Sequence, residues 1–413
     1  MRCIKEVVSH EEKMTMLRII LVSALLVLTA CGGDSEPAAE ATKERGVSVV
    51  TGVTDSEIVL GTHSDLSGGA SIWGVGSING ARMRFDQVNA AGGIHGRQIR
   101  HVVEDTRYEV PRAIQAANKL INRDKIFAMV LAVGTPTNNA VLTQQLAAGV
   151  PNMFPLTGAR AMGDPHHKLK FTQRGIYYDE IRAGVKYFAE LGKEKACVIA
   201  HDSDYGQEIL EAVQDQLAVI GKKVVAVSAH KPTETEFTAS IIKLRNAECD
   251  VVYLGTVHRD TILVLETARK MNFDATFVGQ NAAYGQVIAD QKSGAADGYH
   301  CFVHMAKLYK DDDLPAVVVE WWRDYENRFG EEPGLPAMEG YRAADLIVLA
   351  LEKAGADLTR ESFIDAMEGI TNYTDIFGYK VAFSPDDHNG VNESILSVVE
   401  NGRWKTLATT ISY

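Results

Sequence analysis

Cysteine and positive charge are scarce in this sequence, and the usual catalytic motifs are missing. Five Cys are scattered through 413 residues with no CxxC among them. That spacing excludes both a disulfide framework and the commonest zinc-site pattern. Lys and Arg number 42 against 54 Asp and Glu, a net charge of −12. Nucleic-acid binding needs a basic face, so no nucleic-acid partner is expected, nor a broad basic membrane-binding patch. There is no Gly-x-Ser-x-Gly, His-Glu-x-x-His or P-loop. His258-Arg259-Asp260 imitates a kinase catalytic loop, but no Asp-Phe-Gly follows, and it reads as a loop after a strand. Gly74-Val-Gly-Ser-Ile-Asn-Gly80 approaches a dinucleotide fingerprint. Its spacing is one residue too long, and the acidic residue about 20 positions on, Asp105, is an ordinary strand end. His166-His167 and Asp311-Asp312-Asp313 read as solvated loops. No metal or cofactor is expected, and no enzyme activity.

Long apolar runs are also rare, which makes the one near the N-terminus informative. Leu17 to Ala30, about 14 residues, is shorter than the roughly 20 of a spanning helix. Lys13 and Arg18 flank it and small residues precede Cys31, as in a secretory signal. Leu28-Thr29-Ala30-Cys31 resembles the lipobox of bacterial lipoproteins. The resemblance implies lipidation at Cys31, a membrane anchor and an exported, cell-envelope location. Glu11 and Glu12 fall where such a signal should be basic, which suits a start at Met14 or Met16. Residues 32–56 then read as a flexible tether.

The body, Glu57 to Tyr413, holds about 357 residues, more than one ordinary core and so two domains. Strand-like runs alternate with helical spacing. Glu57 to Gly61 is a strand, Ser77 to Ala91 a helix stopped by Gly92-Gly93, Gln98 to Val103 a strand, and Pro111 opens a helix. Ile126 to Val133 reads as a strand covered on both faces. A second series starts after Phe171, with strands at Ala196 to Ala200, Lys223 to Val227, Asp250 to Leu254 and Thr276 to Gly279 between helices. Alternating βαβα units imply parallel sheets with helices on both faces. Two such series predict an α/β protein of two doubly wound lobes. Helices at Pro315 to Phe329, Leu335 to Ala354 and Glu361 to Gly369 return to complete them. Asn389-Gly390, between strand-like Tyr379 to Phe383 and Ile395 to Val399, signals a hairpin. Cys197 reads as a buried small hydrophobe, and a Cys249–Cys301 bridge is compatible with an oxidising compartment.

Open α/β sheets bind ligands at the carboxyl ends of their strands. Two loops there carry useful chemistry. Gly134-Thr135-Pro136-Thr137-Asn138 opens a helix, where free N–H groups and the positive dipole end favour an anion. Pro155-Leu156-Thr157-Gly158 adds a hydroxyl and a second Gly. Facing one space, the two would hold a carboxylate; the bland alternative is N-capping by Thr.

Gly92-Gly-Ile-His-Gly-Arg-Gln-Ile99, with Ser67-Gly68, Trp73, Gly134-Thr135, Pro155 to Gly158, His201-Asp-Ser-Asp-Tyr-Gly206 and Tyr253-Leu-Gly-Thr-Val-His258, resembles the branched-chain amino-acid binding proteins of ABC transporters. The likeness covers Glu57 to about Lys405. It implies a type I periplasmic solute-binding protein with a Venus-flytrap shape, lobe one being 57–174 plus 304–384 and lobe two 175–303 plus 385–413. Three hinge crossings fall near Arg174, Val303 and Ser384. It implies a small-molecule ligand, carboxylate or amino-acid-like, and ABC permease subunits as partners. Carried over by position, Gly134, Thr135, Leu156, Thr157 and Gly158 would hold the ligand carboxylate. Trp73 and Tyr205 would cover the ligand from opposite lobes, packing in the lobe interface being their alternative, and Val257 and Tyr341 would shape the rim. The sequence departs from the family where an acidic residue holds the ligand ammonium: Asn281 and Tyr177 stand there, with Asp65 and Asp179 as substitutes. Either the correspondence is off by a residue or two, or the ligand lacks an α-amino group; a pocket rich in rings, from Tyr177, Tyr178, Trp73 and Tyr205, then favours an aromatic or aliphatic carboxylate, or an amide. A ligand sensor of the same fold, or an α/β hydrolase, are the competing readings.

Overall fold

The computed structural model describes residues 50–408; the signal segment, Cys31 and most of the tether lie outside them. The tether's last residues belong to the body instead. Val53 bridges Ile58, and Val59 N–H donates to Gly52 C=O at 2.8 Å. Gly52, at φ +85°, lies so close to the Phe127 backbone that a Cβ would meet it at 2.2 Å. Only glycine allows that approach.

The first lobe is built on β1 (Glu57–Ser64), α1 (Ser71–Ala90), β2 (Gln98–Asp105), α2 (Val110–Asn118), β3 (Ala128–Val130), α3 (Thr135–Ala147), β4 (Asn152–Met153) and β5 (Lys170–Phe171). Its sheet runs β2-β1-β3-β4-β5, all parallel. Because strand side chains alternate, Val59 and Met129 face one cluster with Ala113, Ala117 and Val141 of α2 and α3. Ile58, Leu60, Ala128 and Val130 face the other way, toward α1.

The second lobe follows with α4 (Tyr177–Glu190), β6 (Ala196–His201), α5 (Asp204–Val219), β7 (Ala226–His230), α6 (Thr238–Asn246), β8 (Val251–Gly255), α7 (His258–Lys270), β9 (Thr276–Gly279), α8 (Gln286–Ala289) and β10 (His300–Val303). Here Val198 and Tyr253 pack toward α4 and α5, while Cys197, Ile199 and Leu254 pack toward α6 and α7. The chain then returns to the first lobe with α9 (Ala316–Phe329), α10 (Leu335–Ala354) and α11 (Arg360–Glu368), α10 lying along α1. A small ladder, β11 (Tyr373–Thr374) with β12 (Lys380–Val381), precedes the last crossing. Then β13 (Ile395–Glu400) and β14 (Arg403–Ala408) extend the second sheet to β14-β13-β10-β9-β8-β6-β7. Two doubly wound lobes are the architecture expected from the alternating pattern, and the three crossings between them are those the family resemblance implies.

Three local expectations are corrected. The apolar run Ile126 to Val133 is a strand only at Ala128–Val130, because Leu131 turns into the left-handed region at φ +53°. The hairpin is elsewhere: Asn389 and Gly390 lie against Thr172, Gly390 N–H donating to its carbonyl at 3.0 Å, whereas Asn401 and Gly402, at φ +52° and +76°, turn β13 into β14. These are the positive angles a two-residue hairpin needs. Cys197 is bonded to Cys249, with Cα atoms 5.9 Å apart, and Cys301 is free and buried. The pairing follows from β6 and β8 being neighbours, with Cys249 two residues before the strand start.

The Gly74 to Gly80 run lies inside α1. A Cβ on Gly80 would stand 2.0 Å from Ala337 C=O, and one on Gly340 would stand 1.9 Å from Ser77 C=O. The glycines let α1 and α10 touch backbone to backbone.

Candidate functional site

The strand ends of the first lobe turn sharply and place small groups on one floor. After β3, Leu131 reverses the backbone and Gly134 (φ +96°) precedes α3, so Thr135 and Pro136 form its first turn. After β4, Phe154 makes the same left-handed turn. Leu156 N–H then donates to Ala132 C=O (2.8 Å) and Gly134 N–H to Leu156 C=O (3.3 Å), which ties the two loops together. Thr135 Oγ1 and Thr157 Oγ1 lie 2.6 Å apart, and Thr157 Oγ1 also accepts from Ala159 N–H. A hydroxyl has one proton. Whichever Thr donates to the other, one O–H is left to donate to an acceptor in the cavity. The first-turn N–H groups of α3 have no intrahelical acceptor and add a positive potential.

The loop after β1 is shaped by Asp65, which accepts from Ser67, Gly68 and Ala70 N–H at 3.1, 2.5 and 2.7 Å. Its carboxylate is occupied in holding the turn that delivers Trp73. Arg107 and Tyr108, both left-handed at φ +53° and +61°, swing the Tyr108 ring over Gly134, where a Cβ would meet it at 2.3 Å.

The second lobe closes over this floor. Tyr205, in the first turn of α5, donates its hydroxyl to Thr256 C=O (2.9 Å) and accepts from Gln280 Nε2. Burial first, then the neighbouring Tyr177 and Tyr108, push its phenol well above the usual range, so it stays neutral. The Tyr177 ring meets Tyr205 edge to face at 5.7 Å. The indole N–H of Trp73 reaches Ala282 C=O across the cleft (3.2 Å). At the rim Asn139 donates to Asp204 (2.9 Å), and Arg160 pairs with Glu211 (2.7 Å).

These groups enclose a cavity of about 20 Å³ lined by thirteen residues, Trp73, Tyr108, Thr135, Thr157, Arg174 and Tyr205 among them. That volume accommodates about one water. No lining residue carries a carboxylate, and Arg174 is the one charged side chain facing it. The Arg174 guanidinium lies 4.2 Å from the Trp73 ring centroid, a cation–π distance. Behind, it pairs with Glu339 at 2.6 Å, both fully buried. Glu339 Oε1 is 3.4 Å from His304 Nε2, and Asn281 Nδ2 is 2.6 Å from His304 Nδ1. Arg342 bonds Gln173 through its side chain and backbone and lies 3.7 Å from Asp375. Burial, with Arg342 and Arg174 nearby, drops the His304 imidazole well below its usual value.

Of the residues singled out in the sequence, Trp73, Gly134, Thr135, Leu156, Thr157, Tyr205 and Val257 line this cavity. Gly158 sits just behind, where a Cβ would lie 2.6 Å from the Tyr177 ring. Asn281 is turned into the charge cluster, and Tyr341 stands apart, bonded to Gln87 (3.1 Å) with its ring against Trp321. Tyr108 and Arg174 were not anticipated as lining. Arg174 falls within a motif-poor crossing segment, and only its proximity to Tyr177 offered a signal.

Residues 57–403 match the family model described as periplasmic binding protein. The leucine-, isoleucine-, valine-, threonine- and alanine-binding protein of Pseudomonas aeruginosa is 26% identical over 277 residues, 67% of this chain and 73% of that one. A branched-chain amino-acid ABC transporter protein from Thermus thermophilus, solved with bound valine, superposes with a TM-score of 0.78 at 17% identity, covering 87% and 98% of the two chains. A solute-binding protein of an ABC transporter from R. palustris, solved with benzoate, superposes at 0.76 with 18% identity over 87% and 98%.

Proposed function

This chain belongs to the periplasmic binding protein family, and on that premise we propose that it is the extracytoplasmic receptor of an ABC uptake system, capturing a small carboxylate that lacks an α-amino group. The observation that carries the ligand class is the composition of the cavity wall: a hydroxyl pair with a spare proton and one guanidinium, but no carboxylate. An ammonium buried there would have no counter-charge, which is costly. Asp65 is committed to its own loop and Glu339 to Arg174. One protein of this fold is solved with valine and another with benzoate; a cavity lining without a carboxylate favours the ligand without an ammonium.

Thr135, Thr157 and the α3 N-terminus receive the carboxylate, Arg174 adds a charge-assisted bond, and Trp73, Tyr108, Tyr177 and Tyr205 enclose the remainder. Hinge opening between the lobes admits the ligand and closure buries it. No bond of the ligand is made or broken. Cys31 carries the lipid that tethers the receptor near its permease.

A thermal-shift panel tests this with the purified protein. Each amino acid is paired with its deaminated carboxylate and its amide. A ligand that binds only the folded state raises the midpoint. Deaminated carboxylates should raise it, and Thr157→Val should weaken that response. Shifts given by amino acids alone would reject the ligand class.

A further inference from the structure

A second pocket, far larger than the inner cavity, lies on the other side of Trp73. Its volume is about 210 Å³ against about 20 Å³ inside. Both lobes contribute to it: Ile72, Val75, Leu335 and Pro336 from the first, and Tyr284 and Val287 from the second. Ile72, Val75 and Val287 are 45, 37 and 40% exposed, so apolar surface from two lobes faces one concavity without covering itself.

Two rings, one from each lining, approach one another between the two spaces. Trp73 lines the inner cavity, His258 lines the outer pocket, and their centroids are 5.8 Å apart. The Trp73 indole N–H donates to Ala282 C=O, and its ring lies 4.2 Å from the Arg174 guanidinium. His258 Nε2 lies 3.2 Å from Tyr284 C=O, which can only accept. That nitrogen therefore carries the proton, and Nδ1 is a bare acceptor that finds no partner among the described residues although His258 is 3% exposed. Burial drops the imidazole to about 4, so the ring is neutral at neutral pH.

We propose that the outer pocket receives the distal part of the ligand, so that the preferred substrates are elongated carboxylates with an uncharged apolar tail. This rests on the carboxylate reading of the inner site and extends it. The head binds Thr135 and Thr157, Trp73 swings off Ala282 C=O, and the tail passes His258 to lie on Ile72, Val75 and Val287. A hydroxyl or amide N–H on the ligand beside the two rings would meet His258 Nδ1. Glu331 and Glu332 in the lining disfavour a second carboxylate on the tail. Lys307, its one cation, is turned to Leu308 C=O (2.6 Å) and the Trp322 ring (4.8 Å).

Calorimetric titration of the purified protein with butanoate, hexanoate, octanoate and decanoate tests this. Burying a methylene is worth a factor of about three to four, so affinity should climb by about that factor per carbon across the series. Val287→Asp, and separately Val75→Asp on the other lobe, should collapse the decanoate-to-butanoate ratio toward one. Both sites are partly exposed, so both variants should fold. Affinity that is flat or falls beyond butanoate, or a ratio that neither variant alters, overturns the outer pocket while leaving the inner site standing. Binding of no straight-chain acid overturns this extension, and if 4-methylpentanoate also fails to bind, the carboxylate reading falls with it.

Discussion

Thr135 and Thr157 form the cleft floor with neutral hydroxyls, on loops a few residues past β3 and β4. The wall behind them consists of Arg174, Glu339, His304, Asn281, Arg342 and Asp375, gathered from both lobes and the crossings between them. The floor needs little to remain buried: each hydroxyl has a partner, and a spare proton is left for a ligand. The wall is charged and buried, and its ion pairs join Arg174 to Glu339 at 2.6 Å and Arg342 to Asp375 at 3.7 Å. Neutral donors of the floor and the one guanidinium that reaches the cavity, Arg174, are available to the ligand, while the other charges of the wall fix where the lobes meet. Changes in the wall should therefore appear as lost stability, and changes in the floor as lost binding.

The largest effect is expected from Glu339→Ala, which strands Arg174. Removing one partner of a buried pair costs about 3–5 kcal/mol, read as a lower denaturation midpoint. A variant of unchanged stability would show that the wall is not a committed ion-pair network.

Next comes Glu180, at the edge of the wall. Burial pushes its carboxyl up to about 7, and its Oε1 accepts from Ser394 at 2.6 Å. The folded value lies above the unfolded one. Stability is therefore full below about 4.5 and is lost as pH rises through about 7, amounting to roughly 3 kcal/mol. Glu180→Gln should flatten this loss and raise the melting temperature at pH 8; unchanged pH dependence would refute it.

In the floor, Thr135→Ser with Thr157→Val removes the Thr157 hydroxyl, and the Ala159 N–H it accepts from loses its acceptor, at a cost of about 1–3 kcal/mol. Carboxylate affinity should fall by about 10–100-fold, as expected for losing a charged hydrogen bond, measured by calorimetry. The smallest effect is at the rim, where Arg160→Ala removes a partly exposed pair with Glu211. Such pairs contribute below about 1 kcal/mol, so affinity should weaken less than about fivefold.

The same contrast explains what could be read in the sequence. The lobes were legible because each βα unit carries its own periodicity, and the floor was legible because its Gly, Thr and Pro sit together in short loops. The wall was not, since Arg174, His304 and Glu339 are far apart in the chain and meet only by tertiary packing. Tyr108 was missed because two consecutive non-glycine left-handed residues leave no compositional mark. The Asn-Gly hairpin signal was correct chemistry at the wrong site: Asn389-Gly390 is captured by Thr172 on a crossing, and Asn401-Gly402 makes the turn. Cys197 looked like a strand hydrophobe because its partner is set by strand order, not by local pattern.

The most direct test of the central claim is a matched pair in calorimetry, leucine against 4-methylpentanoate, which differ by the ammonium. An inner cavity lined by no carboxylate should bind 4-methylpentanoate at least about 100-fold tighter, since an unpaired buried ammonium costs several kcal/mol. Tighter binding of leucine would contradict the account and require an acidic group to enter the cleft on closure.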